Sequence, residues 1–581
     1  MSRFLVDGAG GCAWLATLAL LALAGCGGGG SSGGGGTLPP QPTDVVVSGR
    51  ITFDRVPIGG GAGQGLDFAA VVLAPARAVT VEALAAANSA VLASTVTNDT
   101  GNYSLSLAPN TNVLLRVKAE MVRTGAPSWS FRVRNNTNGN ALYALDGTSF
   151  NTGTTNSQRD LHAASGWGGA GYTTPRAAAP FAILDTVYQA YTLVLGAEPG
   201  ASFPPLDLFW STTNRVGTGG CAVDRPSIAS GVICTTFYLA PVANPAASRP
   251  DAGIYVLGSA NDDSDEFDRH VIAHEWGHYY QDSFSRDDSI GGPHGFSDRL
   301  DPRLAFSEGW GNAFSGMVVG DRNYRDSFAA GGQQRSFGFD LESNPGASAA
   351  SIGWYSESSI QSLLWDFFDD APDGLDTVAL GFAPIHRVMA NEVRTAAAFS
   401  TVYPFVEGLR TRAPASDGAI EALVRAQQIS TQRGDPFGTA EANNGGDPRN
   451  LPIYRPILPG TTERVCSTVA PNGPVNKLGV ARFLRFDLAA SRNVTVDVRG
   501  PASSPALPDA DPDVYLFRAG LPQAAGNAVG INDSASLPSA PAGAYLIEVH
   551  EYSNVDPPID PQSGQPKPRG ETCIDVTLSA N

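Results

Sequence analysis

Two tracts of short strands with period-two apolar–polar patterning bracket a long segment whose apolar spacing is helical, and no single small fold accommodates all three. From Val45 to about Asn135 the runs "VVVSGRITFD", "VTVEALAA" and "SWSFRVRNN" are separated by turn residues such as Asn98-Asp99-Thr100-Gly101. Beyond about Pro448 the alternation returns in "ARFLRFDLAASRNVTVDVRG", "DPDVYLFRAG" and "PAGAYLIEVHEY". A period of two places one apolar face on each strand, which predicts antiparallel sandwiches at both ends. Between them "RAAAPFAILDTVYQAYTLVLG" has helical spacing and stops at Gly196, strand-like pieces occur at Leu206–Trp210, near Phe237 and at Gly253–Gly258, and helices resume at Ser264. A sheet followed by helices suits an α+β domain. At 581 residues the chain exceeds what one core supports. The expected organisation is multidomain, with sandwiches over 44–150 and 447–581 flanking an α+β domain over 151–446.

The start of the chain reads as an export signal over residues 1–25. Arg3 precedes the apolar run Ala13–Ala24, which is too short to span a bilayer comfortably. Leu23-Ala24-Gly25-Cys26 resembles a bacterial lipobox, which implies cleavage before Cys26, lipidation of its thiol and, with Gly27 next in the chain, an outer-membrane destination in the cell envelope. An ordinary signal peptide with an incidental cysteine is the competing reading. Gly27–Gly36, all glycine and serine, and Pro39-Pro40 then form a flexible tether over 26–43. The cysteines left after the signal, Cys221, Cys234, Cys466 and Cys573, are expected to form two disulfides; proximity favours Cys221–Cys234 and Cys466–Cys573 among three connectivities. A formal net charge of −18 without a basic cluster argues against nucleic acid as a partner.

Chemistry concentrates in "DRHVIAHEWGHYY", Asp268–Tyr280, which holds three of the seven histidines. Ser264 or Asp265 is placed to cap a helix there, and positions i and i+4 stack on one helix face. His274 and His278 can therefore reach one cation while Glu275 stands beside them. A hydrolytic zinc site needs a third protein ligand and an open position. Six residues beyond His278, where one class of such enzymes has a histidine, the chain has Phe284. Asp301-Pro302 opens a second helix carrying Glu308 in "SEGWGN", with 29 residues between it and His278. His270, one turn before His274, is read as a packing or supporting residue, and His294 as a solvated loop residue, with the cleft wall as its alternative. The acidic run Asn261–Asp268 is read as helix capping and solvation, with Ca2+ binding as the alternative. Asp509, Asp511 and Asp513 receive the same pair of readings.

This arrangement resembles the gluzincin clan, the thermolysin-like and fungalysin-like metallopeptidases, in which a glutamate on the helix after H-E-x-x-H completes the site. The resemblance implies Zn2+ held by His274, His278 and Glu308, with Glu275 as the general base for a water that attacks a peptide carbonyl. It makes Tyr355 and His386 candidates for stabilising the oxyanion, ordinary packing being the competing reading of each. One departure stands out: these families place an aspartate four residues after the ligand glutamate, and here that residue is Asn312. Ser94–Leu107 resembles transthyretin-like, carboxypeptidase-regulatory modules. The C-terminal strands, with Asp511 and Asp513 before "VYLF" and Gly543-x-Tyr545 before the last strands, resemble the pre-peptidase C-terminal sandwich. The expectation is an exported, lipid-anchored zinc metallopeptidase acting on proteins or peptides. Competing expectations are a surface-binding lipoprotein that has lost turnover, and a zinc hydrolase of non-peptide amides.

Overall fold

The computed structural model describes residues 44–581 apart from 62, 218–222, 244, 331–332, 345–350, 372–373 and 504–508. The export signal, Cys26 and the Gly/Ser tether lie outside the described residues. Among the described residues no helix is long and apolar enough to cross a membrane.

The molecule is multidomain and rich in β-sheet. In the N-terminal part Val45–Arg55 is the central strand of one sheet, pairing with Asn102–Leu107, Val72–Pro75 and two short returning strands, Ser157–Gln158 and Leu161–Ala163. Thr80–Ala85, Val91–Val96, Asn112–Lys118 and two short strands form a second sheet. Val47, Ile51 and Phe53 of the first sheet share a core with Val81, Ala83, Val113, Leu115 and Val117 of the second.

The expected boundary at 150 does not coincide with the division of the sheets. Glu120–Arg123 and Trp129–Asn135 leave the N-terminal pair and join Leu206–Trp210, Gly253–Val256 and Phe237–Leu239 in the sheet beneath the central helices. Residues 157–163 then return to pair with Val45–Arg55. Alternation identifies a strand but not its partner, because Trp129, Phe131 and Val133 present the same buried face to either sheet. Phe237–Leu239 is the edge strand, antiparallel to Gly253–Val256.

Four helices follow in layers: Ala179–Ala197 and Arg269–Phe284 pack on this sheet, Pro302–Val319 packs on Arg269–Phe284, and Glu357–Phe368 packs on Pro302–Val319. Trp276 and Tyr279 pack edge-on to Phe131 of the sheet, and Trp276 stacks on Phe314. Between the second and third helices the contact is closed by glycine. A Cβ on Gly311 would lie 2.8 Å from the His274 ring. The Pro302–Val319 helix starts as expected: Asp301 caps the Arg303 N–H, Pro302 occupies the first turn, and Gly320 ends it in the left-handed conformation. The preceding helix starts differently from expectation. Neither Ser264 nor Asp265 caps it; a short 3-10 turn, Asp265–Phe267, precedes it, and Asp268 at the cap position sends its carboxylate to Ser327.

The C-terminal part is two sheets around a separate core that includes Val496, Val514, Ile547 and Val576. Cys466 and Cys573 face each other across paired strands and are joined by a disulfide. Cys234 is also disulfide-bonded, whereas Cys221 lies outside the described residues. This sandwich meets the helical region at Arg303. The buried guanidinium bonds Asp301 at 2.9 Å and Glu548 at 2.6 Å and lies 4.8 Å over the rings of both Phe399 and Phe483.

Candidate metal centre

His274 and His278, one turn apart on the Arg269–Phe284 helix, turn their Nε2 atoms toward each other at 3.1 Å. Glu308 crosses from the neighbouring helix, its Oε2 lying 3.2 Å from His274 Nε2 and 3.7 Å from His278 Nε2. The three side chains are 11–13% exposed, so the cluster is largely buried but still reached by solvent.

The outer ring nitrogens fix the tautomers. Asn312 Oδ1 lies 2.9 Å from His274 Nδ1, and its amide nitrogen donates to Gln361 Oε1 at 3.0 Å, so Oδ1 is the atom turned to the imidazole and accepts its N–H. His278 Nδ1 is 3.2 Å from Ser307 Oγ, whose hydroxyl donates to Asp287 at 3.0 Å, so that imidazole is the donor to Oγ. With the rings neutral, both Nε2 atoms are left as lone pairs facing each other beside a carboxylate; without a cation, a proton held by His278 occupies that place. Three acceptors in contact repel unless a proton or a cation lies among them. Burial acts to raise the Glu308 carboxyl, yet the imidazoles of His278 and His274 hold it well below its ordinary range. Burial likewise acts to lower His278, and Glu308 outweighs it, holding the imidazole up at about 9. Two imidazole nitrogens and one carboxylate oxygen lie within 4.8 Å of one another, a donor set able to hold a metal ion and of a kind that zinc accepts.

Glu275 points to the side of this set. Its Oε2 accepts the backbone N–H of Tyr238 at 2.7 Å, from the edge strand Phe237–Leu239. Burial raises its carboxyl above the ordinary value against the pull of His274 and His278. His270 does not join the cluster. Its Nε2 meets the Asp321 carbonyl at 3.1 Å, and burial depresses the imidazole to about 4.

Tyr355 and His386 are not brought to the cluster. The Tyr355 hydroxyl is held by the Ile352 carbonyl at 3.1 Å and by Asn443 at 3.0 Å. His386, buried behind the histidine helix, has one nitrogen 2.8 Å from the Tyr280 hydroxyl and the other 2.9 Å from Glu198. Both ring nitrogens of His386 and the Tyr355 hydroxyl are thus hydrogen-bonded away from the cluster.

The histidine that does approach is His294, read from sequence as a solvated loop residue. Its Nε2 lies 3.3 Å from Glu308 Oε2 and 3.7 Å from Glu357 Oε2, with the side chain 33% exposed. Glu357, the first residue of the fourth helix, is buried, and burial lifts its carboxyl to about 7 against the pull of His294. Neither contact had a sequence signal beyond the polarity of a Gly/Pro-rich loop. The hairpin Asn323–Ala330/Gln333–Asp340 has a weak sequence signal, the Gly331-Gly332 pair between two polar runs that carry isolated aromatics. Tyr324 from that hairpin lies 6.4 Å from the His274 ring and forms a wall of the site.

No known family pattern matches the chain, and no curated protein matches it. Similar solved structures include the pre-peptidase C-terminal domain of a collagenase from Bacillus anthracis. It is 16% identical over 22% of this chain and 94% of that one, with a TM-score of 0.16. A surface-associated copper-binding protein of Methylomicrobium album is 10% identical over 22% of this chain and 98% of that one, with a TM-score of 0.17. A 9R-lipoxygenase from Cyanothece is 13% identical over 29% of this chain and 25% of that one, with a TM-score of 0.13.

Proposed function

We propose that this chain is an exported, lipid-anchored metallopeptidase of gluzincin type, with zinc held by His274, His278 and Glu308. The observation that carries this reading is the pair of Nε2 atoms, each ring oriented by an outer hydrogen bond, converging with Glu308 on one point. When bound there, zinc polarises a carbonyl oxygen and acidifies a coordinated water. Glu275 stands beside that point as the base that accepts the water's proton and returns it to the departing amine. The burial that raises its carboxyl brings its basicity closer to that task. The Tyr238 N–H keeps one Glu275 oxygen oriented. The edge strand Phe237–Leu239 lies alongside, offering backbone groups with which an extended peptide can pair. His294, the imidazole that reaches Glu308 from the loop, is the candidate donor to the substrate's carbonyl oxygen in place of Tyr355 or His386.

The test is metal content and casein cleavage by the soluble part, Thr37 onward. Wild type is expected to hold one zinc and to cleave; Glu308→Ala loses the zinc, and Glu275→Gln keeps it without cleaving. Unchanged turnover in Glu275→Gln would eliminate the mechanism. Asn312 in place of aspartate favours a second reading, a peptidase-like surface protein without turnover. Stoichiometric zinc with no hydrolysis across a peptide and small-amide panel selects it.

A further inference from the structure

A second group of carboxylates lies away from the histidine cluster, where the segment before the histidine helix meets the hairpin. Asp263 pairs with Phe328 in an antiparallel bridge, and the Ala329 N–H donates to the Asp262 carbonyl at 2.7 Å, so the acidic run lies against the strand Asn323–Ala330. This register brings Asp326 to Asp263 and Asp265, each offering one oxygen within 4.8 Å of the others. The Oδ1 of each of the three is buried and has no hydrogen-bond donor among the described residues. Asp265 is 2% exposed; its other oxygen accepts from Thr236. Asp268, wholly buried, adds a fourth negative group, and the charges acting on Asp265 are Asp263, Asp326 and Asp268, all acidic.

We infer that Asp263, Asp265 and Asp326 form a site for a divalent cation of calcium's size, independent of the zinc reading. Oxygen-only donors select a hard cation, and bonds of about 2.3–2.6 Å to one calcium ion span the observed separations. Buried, uncompensated carboxylates are costly, and a divalent ion removes that cost. In its absence the group is left with protonation: burial and mutual repulsion push Asp265 and Asp268 well above the ordinary range and Asp326 to about 7, and Asp263 and Asp265 are close enough to share a proton. A bound cation joins the start of the histidine helix to the hairpin whose Tyr324 ring lies 5.3 Å from His270 and 6.4 Å from His274. The site is thereby a staple between the helix that carries the two histidines and the hairpin that packs beside them.

The experiment is calorimetric titration of calcium chloride into the full chain as purified, dialysed free of calcium, with the thermal midpoint followed in parallel. One calcium is expected to bind per chain and raise the midpoint by several degrees, through ordinary ligand linkage. Asp326→Asn is expected to bind at least about tenfold more weakly, as loss of one of three charged ligands requires. Because it removes a repelling charge, its calcium-free midpoint is expected to equal or exceed that of wild type. Asp263→Asn, at a half-buried position, provides a second variant should Asp326→Asn fail to fold. No heat and no midpoint shift at millimolar calcium, or an unaltered response in both variants, overturns the site. Either result leaves zinc content untouched, so failure here is distinguishable from failure of the peptidase reading.

Discussion

Asn312 occupies a position where an acid would strengthen its neighbour. It accepts the His274 Nδ1–H as a neutral amide and passes its own N–H to Gln361, so the imidazole is oriented but only weakly polarised. Removing that acceptor in Asn312→Ala is expected to weaken zinc binding by about 10–100-fold, while Asn312→Asp is expected to tighten it. Competition with a chromogenic chelator measures both. His294 gives the residue scale its clearest contrast with His274 and His278. Two histidines four apart on a helix must share a face whatever surrounds them, so that pair is legible in the sequence. Nothing local ties the loop bearing His294 to Glu308, and its approach is visible only when the chain is folded.

Gly277 and Gly311 allow the close approach of the helices bearing the histidines and Glu308, and Gly309 that of the Glu308 helix and Glu357–Phe368. A Cβ at Gly311 meets the His274 ring at 2.8 Å, and one at Gly309 meets Ile360 Cβ at 2.5 Å and the Glu357 carbonyl at 2.8 Å. These are dissimilar neighbours, so the two alanine substitutions should separate function from stability. Gly311→Ala is expected to push the imidazole aside and lower zinc affinity with a modest loss of stability. Gly309→Ala presses on backbone and a β-branched stem and is expected to cost about 1–3 kcal/mol by denaturant unfolding. The reverse ordering, with Gly309→Ala the weaker zinc binder, would refute this packing account. Helix limits at Pro302 and Gly320 were readable because capping chemistry is local. The start at Arg269 was misread because the Asp268 carboxylate is drawn to Ser327, 59 residues away.

Across the whole molecule, the C-terminal sandwich is fastened to the glutamate helix by Arg303, Asp301 and Glu548 in a buried cluster. Burial acts to raise the Glu548 carboxyl, but Arg303 and then His550 outweigh it and hold it at about 2, below the ordinary 4.5. A folded-state value below the unfolded one contributes stability that is present above pH 4.5 and lost as pH falls toward 2. Glu548→Gln is expected to abolish that dependence in unfolding free energy against pH. It is also expected to cost about 3–5 kcal/mol at neutral pH, since Arg303 is left buried with one partner fewer. Aspartates 509, 511 and 513, weighed from sequence as a calcium site, have protein partners instead: the Ser503 N–H at 2.6 Å, the Gly530 N–H at 2.8 Å, and His550 at 3.5 Å. Neighbours along the chain were enough to set the alternating strands, the capped helix of Glu308 and the stacked pair His274/His278, because backbone geometry repeats every two or 3.6 residues. Folding in three dimensions alone settled which sheet Trp129–Asn135 joins, that His294 and Glu357 approach Glu308, and that Asp326 meets Asp263 and Asp265. Those contacts depend on long-range pairing, and the residues that make it carry the same local pattern whichever partner they find.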